Sequence, residues 1–391
     1  MSDLDRVVPS PSQPRVAIVG GGVAGLAIGW RLAQRGASVT VYERGRAGQG
    51  ASHAAAGMLA AGVEIEPGEE ALWPLTRAAQ LAWPDFAAEL SALSGRDLGY
   101  RAEGTLVAAR SADDLRRLER LATLQAALGV RLERLTGADL RRLEPALAAG
   151  LAGGLFSPDD HQVENRALAP ALAQALLASG GQLCELTEVA GLDIVEERAQ
   201  GVVLADGRRL AADAVVLAAG AWAGGFPRLP PGCRPPVRPV KGQMLALRMD
   251  PARPLLSHVL WGPGVYLVPR GDGRLLIGAT VEEKGFDATV TAGGLLTLLE
   301  AAWRLLPGLE ELALAETWVG FRPTSRDDAP ILGETPLPGL FLATGQHRNG
   351  ILLLPVLAEA VAEAVLGRPL PGAAPPFTLA RVPRQGRGRA A

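Results

Sequence analysis

The chain has 391 residues, of which 48% are apolar and 20% charged, the balance of a soluble globular protein with room for two domains. A formal charge of −2 and an isoelectric point near 6.2 leave no electrostatic footprint for nucleic acid or an anionic membrane. Two cysteines without a CxxC pair and four histidines without ligand spacing argue against a disulfide framework or a structural metal.

Residues 1–14 hold acids near the start and lack an apolar core, so they do not read as a secretory signal. From Val16 the pattern becomes strand, glycine turn, helix, strand. Val16 to Val19 form the first strand, and Val23, Leu26, Ala27, Trp30 and Ala33 then recur at helical spacing until Gly36. The run "ASVTVYE" supplies a second strand ending in Glu43 and completes a βαβ unit. From Arg77 to about Gly150 the pattern is mostly helical, with a short strand at 104–110. A second α/β stretch has a helix over 166–179, strands near 183–188 and 202–204, an Asp206-Gly207 hairpin turn and an apolar strand at 214–220. Pro-rich 228–239 leads into a strand-rich region over 240–280, followed by a helix at 292–305. The strand at 339–345 and a helix opened by Asn349-Gly350 come last. That helix is the best candidate for a membrane span, but Pro355, Glu359 and Glu363 interrupt it short of ~18 apolar residues. A cytoplasmic protein with reduced thiols and flexible ends at 1–14 and 373–391 is expected.

Gly20-Gly21-Gly22-Val23-Ala24-Gly25 satisfies GxGxxG between a strand and a helix. Gly20 permits the tight turn, Gly22 lets the backbone approach a pyrophosphate, and Gly25 lets helix and strand pack closely. The helix start adds free N–H groups and a dipole that favours phosphate. Glu43 stands where an acid binds ribose hydroxyls. A dinucleotide site follows from that context, but these residues do not separate NAD from FAD. The small-residue loop at 45–59 points to the bulkier cofactor, because the further βαβ repeat usual in NAD dehydrogenases does not follow.

Together "VGGGVAGLAIGWRLAQRG", "VYER" and "GASHAAAGML" resemble the start of the FAD-dependent D-amino acid oxidase superfamily. Further along, "VVLAAGAWA", "VKGQM", "GVYLVPR", "LLIGAT", "WVGFRPTSRDDAPILG" and "HRNGILLLP" resemble its glycine oxidase branch, in order over roughly 15–370. The resemblance implies an α/β fold. A Rossmann-like FAD-binding domain would be built from 15–90, 150–232 and 318–372, and an antiparallel-sheet substrate domain from 91–149 and 233–317. Non-covalent FAD would meet Gly20, Gly22, Val23, Ala24 and Gly25 at its pyrophosphate, and Glu43 and Arg44 at the adenosine ribose. Ala51, Ser52, Ala56, Gly57 and Met58 would lie on the flavin side, and the Val189 backbone at the adenine. Gln346, His347, Arg348, Asn349, Gly350, Ile351 and Leu352 would wrap the isoalloxazine. Gln346 stands where the family carries a histidine, and His347 where an aromatic is common. Some relatives attach their flavin to a histidine of the small-residue loop, a position that aligns with Ala54 and leaves His53 one residue out of register.

The strongest handle on a small amino acid is its carboxylate, and the planar fork of an arginine makes two charge-assisted hydrogen bonds to it. The resemblance assigns Arg322 as that anchor, Tyr266 as a supporting hydroxyl, Arg348 as a second arginine near substrate and flavin, and Met58 and Val281 as apolar wall. It implies oxidative deamination of glycine, with sarcosine or small D-amino acids as further substrates. The products would be glyoxylate, ammonia and hydrogen peroxide, by hydride transfer to flavin N5 with O2 as acceptor. No metal is required, because the cofactor carries the redox chemistry. A homo-oligomer, with a tetramer as one form, and a supply of glycine imine for thiamine thiazole synthesis also follow from the family. Two alternatives stand. One is a sibling oxidase or dehydrogenase for a D-amino acid, sarcosine or proline. The other is a non-catalytic nucleotide-binding or redox-sensing protein.

Overall fold

The computed structural model describes residues 13–382. The apolar run Arg15–Val19 becomes an inner strand of a six-stranded sheet. From edge to edge the strands are Ile331–Glu334, Leu340–Thr344, Ala214–Leu217, Arg15–Val19, Ser38–Tyr42 and Gln182–Cys184. Neighbours are parallel except at the Ile331–Glu334 edge. Strand side chains alternate between faces. Val16 and Ile18 accordingly enter a core shared with helices, while Ala17 and Val19 enter one under a small sheet of Val189–Val195, Arg198–Leu204 and Arg209–Ala211. Asp206-Gly207 turns the hairpin between the last two of those strands. Burial on both faces explains why the strand reads as a continuous apolar run.

Helical spacing leaves Leu26, Ala27 and Trp30 with no exposed surface. There the helix Val23–Gln34 packs on Asn165–Ala178 and Leu354–Val365. Segments from the beginning, middle and end of the chain thus share one sheet. Arg15–Val19 has Ala214–Leu217 on one side and Ser38–Tyr42 on the other, and open α/β sheets bind ligands in the crevice beyond such strand ends.

A second sheet has eight strands in the order Ala313–Thr324, Arg238–Arg248, Arg274–Gly278, Val265–Pro269, Val259–Gly262, Thr105–Ala109, Gly153–Ser157, Glu133–Leu135. It is antiparallel apart from the Val259–Gly262 and Thr105–Ala109 pair. Residues opposite one another across antiparallel strands share a face. Met244 pairs with both Gly278 and Trp318, Gly278 with Tyr266, Gly242 with Gly320, and Val240 with Arg322. Tyr266, Met244 and Arg322 therefore rise from one face whose intervening positions are glycines. The glycines let these side chains lie close against the sheet: a Cβ on Gly242 would meet Arg322 Nη1 at 2.7 Å and one on Gly278 the Tyr266 hydroxyl at 2.7 Å.

Several expected boundaries move. Gly153–Ser157, placed by sequence with the nucleotide segments, instead completes the second sheet by pairing with Thr105–Ala109, and the stretch 318–324 belongs to the same sheet. The last helix begins at Leu354 rather than at Asn349-Gly350. Pro355 occupies its first turn, where a missing N–H costs nothing, and Asn349 to Leu353 form turns before it. The C-terminal tail expected from 373 starts packed: Ala374 and Phe377 are buried, and Arg381 pairs with Asp327 at 2.9 Å. Residues 1–12 and 383–391 of the expected flexible ends lie outside the described residues. No helix among the described residues is long and apolar enough to cross a membrane.

Candidate active site

A cavity of about 1260 Å³ joins the crevice of the first sheet to the glycine-bearing face of the second. It exceeds the ~300–1,000 Å³ common for small-molecule pockets. Gly20, Gly22, Val23, Ala24, Glu43, Arg44 and Val189 line one end, and Tyr266, Arg322, Met58, Val281 and Arg348 line the other.

At the first end the recognition groups are mostly backbone. Gly20 has φ +112°, and a Cβ there would sit 2.5 Å from the Ala218 carbonyl oxygen. A Cβ on Gly25 would come within 2.0 Å of the Gly20 carbonyl, so Gly25 serves packing and lies behind the lining. The helix at Val23 has no side-chain cap on Gly22, and Val23 N–H donates to Ser52 Oγ at 3.1 Å. Ala24, the next residue of this first turn, lines a cavity large enough for a pyrophosphate. The Glu43 carboxylate accepts from Gly21 N–H at 2.8 Å and Gly45 N–H at 2.9 Å, which holds the acid at the rim of the turn. Lone pairs remain on it for ribose hydroxyls. Arg44 lays its guanidinium 4.3 Å over Trp222, which stacks on Phe286 at 4.9 Å.

Between the two ends runs the loop from Gly50 to Met58. Ala51, Ser52, Ala54, Ala55, Ala56, Gly57 and Met58 line the cavity, whereas His53 does not. Burial and then Arg166 push the His53 pKa down, on the side facing Arg166 and Glu316 rather than the cavity. The loop is clamped from behind by Arg270, which is only 5% exposed. Its guanidinium donates to the carbonyls of Ala56 and Val163 and to Asn165 Oδ1, and burial lowers its pKa to about 10. Asn165 Nδ2 in turn donates to the carbonyls of Ser52 at 2.9 Å and His53 at 3.0 Å. Arg270 follows directly on the strand that carries Tyr266, so one side chain ties the substrate face to this loop.

At the far end Arg322 Nη1 donates to the Thr280 carbonyl at 3.2 Å. Among the described residues Arg322 has no carboxylate partner. Gly242 makes space for its fork: a Cβ there would lie 2.7 Å from Nη1. The Tyr266 hydroxyl meets Met244 Sδ at 3.7 Å, and burial raises its pKa to about 12, so it remains a protonated donor. Arg348 is in a different state. Its guanidinium pairs with Glu64 at 3.2 Å and Glu69 at 2.5 Å, so in this structure its charge is matched by protein carboxylates, although it lines the same cavity as Arg322 and Tyr266.

In the stretch 346–352, Gln346, His347, Arg348, Gly350 and Ile351 line the cavity. Asn349 and Leu352 turn inward. Asn349 is 5% exposed, and Leu352 joins the core while its carbonyl accepts from Trp83 Nε1 at 2.8 Å. His347 is held neutral, its pKa lowered to about 3 by burial and then by Arg348, and its Nδ1 meets Thr324 Oγ1 at 2.9 Å. Sequence alone does not single out Glu64, Gly242 or Arg270. "VKGQM" and "GVYLVPR" contain the last two, but only the fold shows that Gly242 faces Arg322 and that Arg270 reaches back to Ala56.

The family model described as FAD dependent oxidoreductase matches residues 15–364, and the chain belongs to that family. FAD is its cofactor. The donor-rich turn, the ribose-side acid and the length of the cavity fit that group. The chain is 40% identical to the glycine oxidase of Geobacillus kaustophilus over 94% of its own length and 96% of the relative's. It superimposes on the crystal structure of glycine oxidase from that organism with a TM-score of 0.87 at 39% identity, covering 95% of this chain and 100% of that one. A bifunctional ThiO/ThiG protein of Synechocystis is 40% identical over 90% of the chain, which spans 51% of that relative. Iminodiacetate oxidase from Chelativorans gives a TM-score of 0.84 at 30% identity, over 93% of this chain and 98% of that one.

Proposed function

We propose that the protein catalyses FAD-dependent oxidative deamination of glycine, with related small amino acids as lesser substrates. One observation carries this: the guanidinium of Arg322, unmatched by any carboxylate among the described residues, faces the cofactor cavity beside the protonated hydroxyl of Tyr266.

Arg322 binds the substrate carboxylate through its fork, and Tyr266 donates a further hydrogen bond to the same group. Gly242 and Gly278 let the Arg322 fork and the Tyr266 ring lie close against the sheet, and Gly320 admits Ala54, so the α-carbon is held between these side chains and the flavin side of the cavity. Met58 and Met244 supply apolar wall that limits water around the reacting carbon. Neutral His347 adds no positive charge next to the substrate amine, which favours the unprotonated amine from which a hydride can leave. Bound FAD supplies the two-electron acceptor, and O2 is the final oxidant, giving hydrogen peroxide. The imino acid left behind takes up water to give glyoxylate and ammonia. A supply of glycine imine to thiazole synthesis belongs to the same proposal. So does a cytoplasmic setting, which suits Cys184 and Cys233 as free thiols.

Purified protein with bound FAD, given glycine in air, should form glyoxylate, ammonia and peroxide in equal amounts. Turnover of L-proline or a D-amino acid with glycine inert would move the protein to a sibling activity.

A further inference from the structure

Two arginines at the substrate end of the cavity are in opposite electrostatic states. Arg322 has no acidic partner among the described residues, whereas Arg348 has two. Glu64 Oε2 lies 3.2 Å from Arg348 Nε, Glu69 Oε2 lies 2.5 Å from Nη2, and the Glu64 carbonyl accepts from the same Nη2 at 2.8 Å. The three side chains are 11%, 16% and 23% exposed for Glu64, Glu69 and Arg348, so water screens the pairs weakly.

The segment that carries Glu64 is braced from below. Asp160 accepts from the N–H groups of Gly62 and Val63 at 2.8 Å each, from Ser157 Oγ at 2.7 Å and from Gln80 Nε2 at 2.6 Å. Gln125 Nε2 donates to the Gly62 carbonyl at 3.0 Å. These bonds fix the backbone that places Glu64 beside Arg348. Glu64 and Arg348 both line the cavity that holds Arg322 and Tyr266.

We propose that Glu64 and Glu69 restrict this pocket to substrates with a single carboxylate, by matching the charge of Arg348 and placing a carboxylate of Glu64 in the lining. A second carboxylate on the substrate meets Glu64 and finds no free cation. Discrimination thus comes from a repulsive element beside an attractive one. With both acids neutral, Arg348 becomes a second anchor. Iminodiacetate, which is glycine extended on nitrogen by a second carboxymethyl group, is the substrate that reports the difference. The inference rests on the amino acid oxidase proposal only for the place of the first carboxylate.

The test uses the FAD-loaded protein and two thioethers that lack the amine and so are not deaminated, (methylthio)acetate with one carboxylate and thiodiacetate with two. Perturbation of the visible flavin spectrum reads their dissociation constants in wild type, Glu69→Gln and Glu64→Gln/Glu69→Gln at about pH 8.5, where Glu64, whose pKa burial raises to about 7, is ionised. The affinity ratio of thiodiacetate to (methylthio)acetate is expected to rise about tenfold or more in the double variant, the scale of one charge-assisted hydrogen bond. It should fall back when Arg348→Met is added. The kcat/KM ratio of iminodiacetate to glycine should move with it. An unchanged ratio in the double variant overturns the proposal, and so does a gain that survives removal of Arg348. Should the double variant fail to hold FAD, Glu69→Gln alone decides, with a rise of roughly threefold expected and no rise overturning it. A wild-type protein that neither turns over glycine nor responds to (methylthio)acetate overturns the parent proposal as well, an outcome distinct from the others.

Discussion

The dinucleotide end of the cavity is built from backbone, and the substrate end from side chains. At the first end the structure must keep Cβ atoms away, as at Gly20, where the Ala218 carbonyl would be 2.5 Å from one. At the second, three strands of an antiparallel sheet deliver Arg322, Met244 and Tyr266 to one face, and a distant loop decides whether an arginine is free or matched. The first end therefore works through backbone that added atoms would displace, and the second through side chains whose loss removes the contact. That contrast can be broken by substitution.

The largest effect is expected at the backbone end. Gly20→Val places a β-branched residue at φ +112° against a carbonyl, and the protein should lose both FAD and folded yield. Visible absorbance of the purified variant checks this, and a yellow, well-folded variant would contradict it. Next comes Arg322→Ala, which removes a charged fork without touching the cofactor end. The kcat/KM for glycine should drop about 100-fold or more while FAD is retained. Arg270→Met tests the link between the two ends. It leaves the carbonyls of Ala56 and Val163 and the Asn165 side chain without their donor, so FAD affinity should weaken about tenfold. Fluorescence titration of apoprotein with FAD measures it.

Smaller effects sharpen the substrate end. Tyr266→Phe removes one neutral hydroxyl and should cost about fivefold in kcat/KM, chiefly through KM. The pH response of stability should expose Glu64. Burial raises its folded-state pKa from 4.5 to about 7, so the native state holds this proton more tightly than the unfolded chain. Its contribution is then fully present below pH 4.5 and is lost as pH rises through 7. Glu64→Gln should flatten the fall in Tm across that window, and an equally steep fall in the variant would assign the slope to other groups.

Legibility in the sequence follows the same division. Glycine turns and apolar periodicity are local, so Arg15–Val19, Val23–Gln34 and the role of Gly20 could be read directly. The order of strands in the second sheet could not. Gly153–Ser157 belongs there because of a ladder to Thr105–Ala109, a pairing that no local pattern announces. Arg322 and Tyr266 were legible only through resemblance of motifs, since an arginine in "GFRP" has no local property that makes it an anchor. Arg348 shows the limit most clearly. Its motif marks it as a site residue, and it does line the cavity, but whether its charge is matched depends on Glu64 and Glu69, 284 and 279 positions earlier.

The most direct test of the central claim is anaerobic mixing of glycine with wild-type and Arg322→Ala proteins, each loaded with FAD, while the visible spectrum is followed. Fast bleaching of the wild type, recovery of colour with peroxide on admission of air, and bleaching slowed about 100-fold or more in the variant are the predicted results. An unbleached wild-type spectrum, or equal rates in the two proteins, would contradict the assignment of this cavity to amino acid oxidation anchored by Arg322.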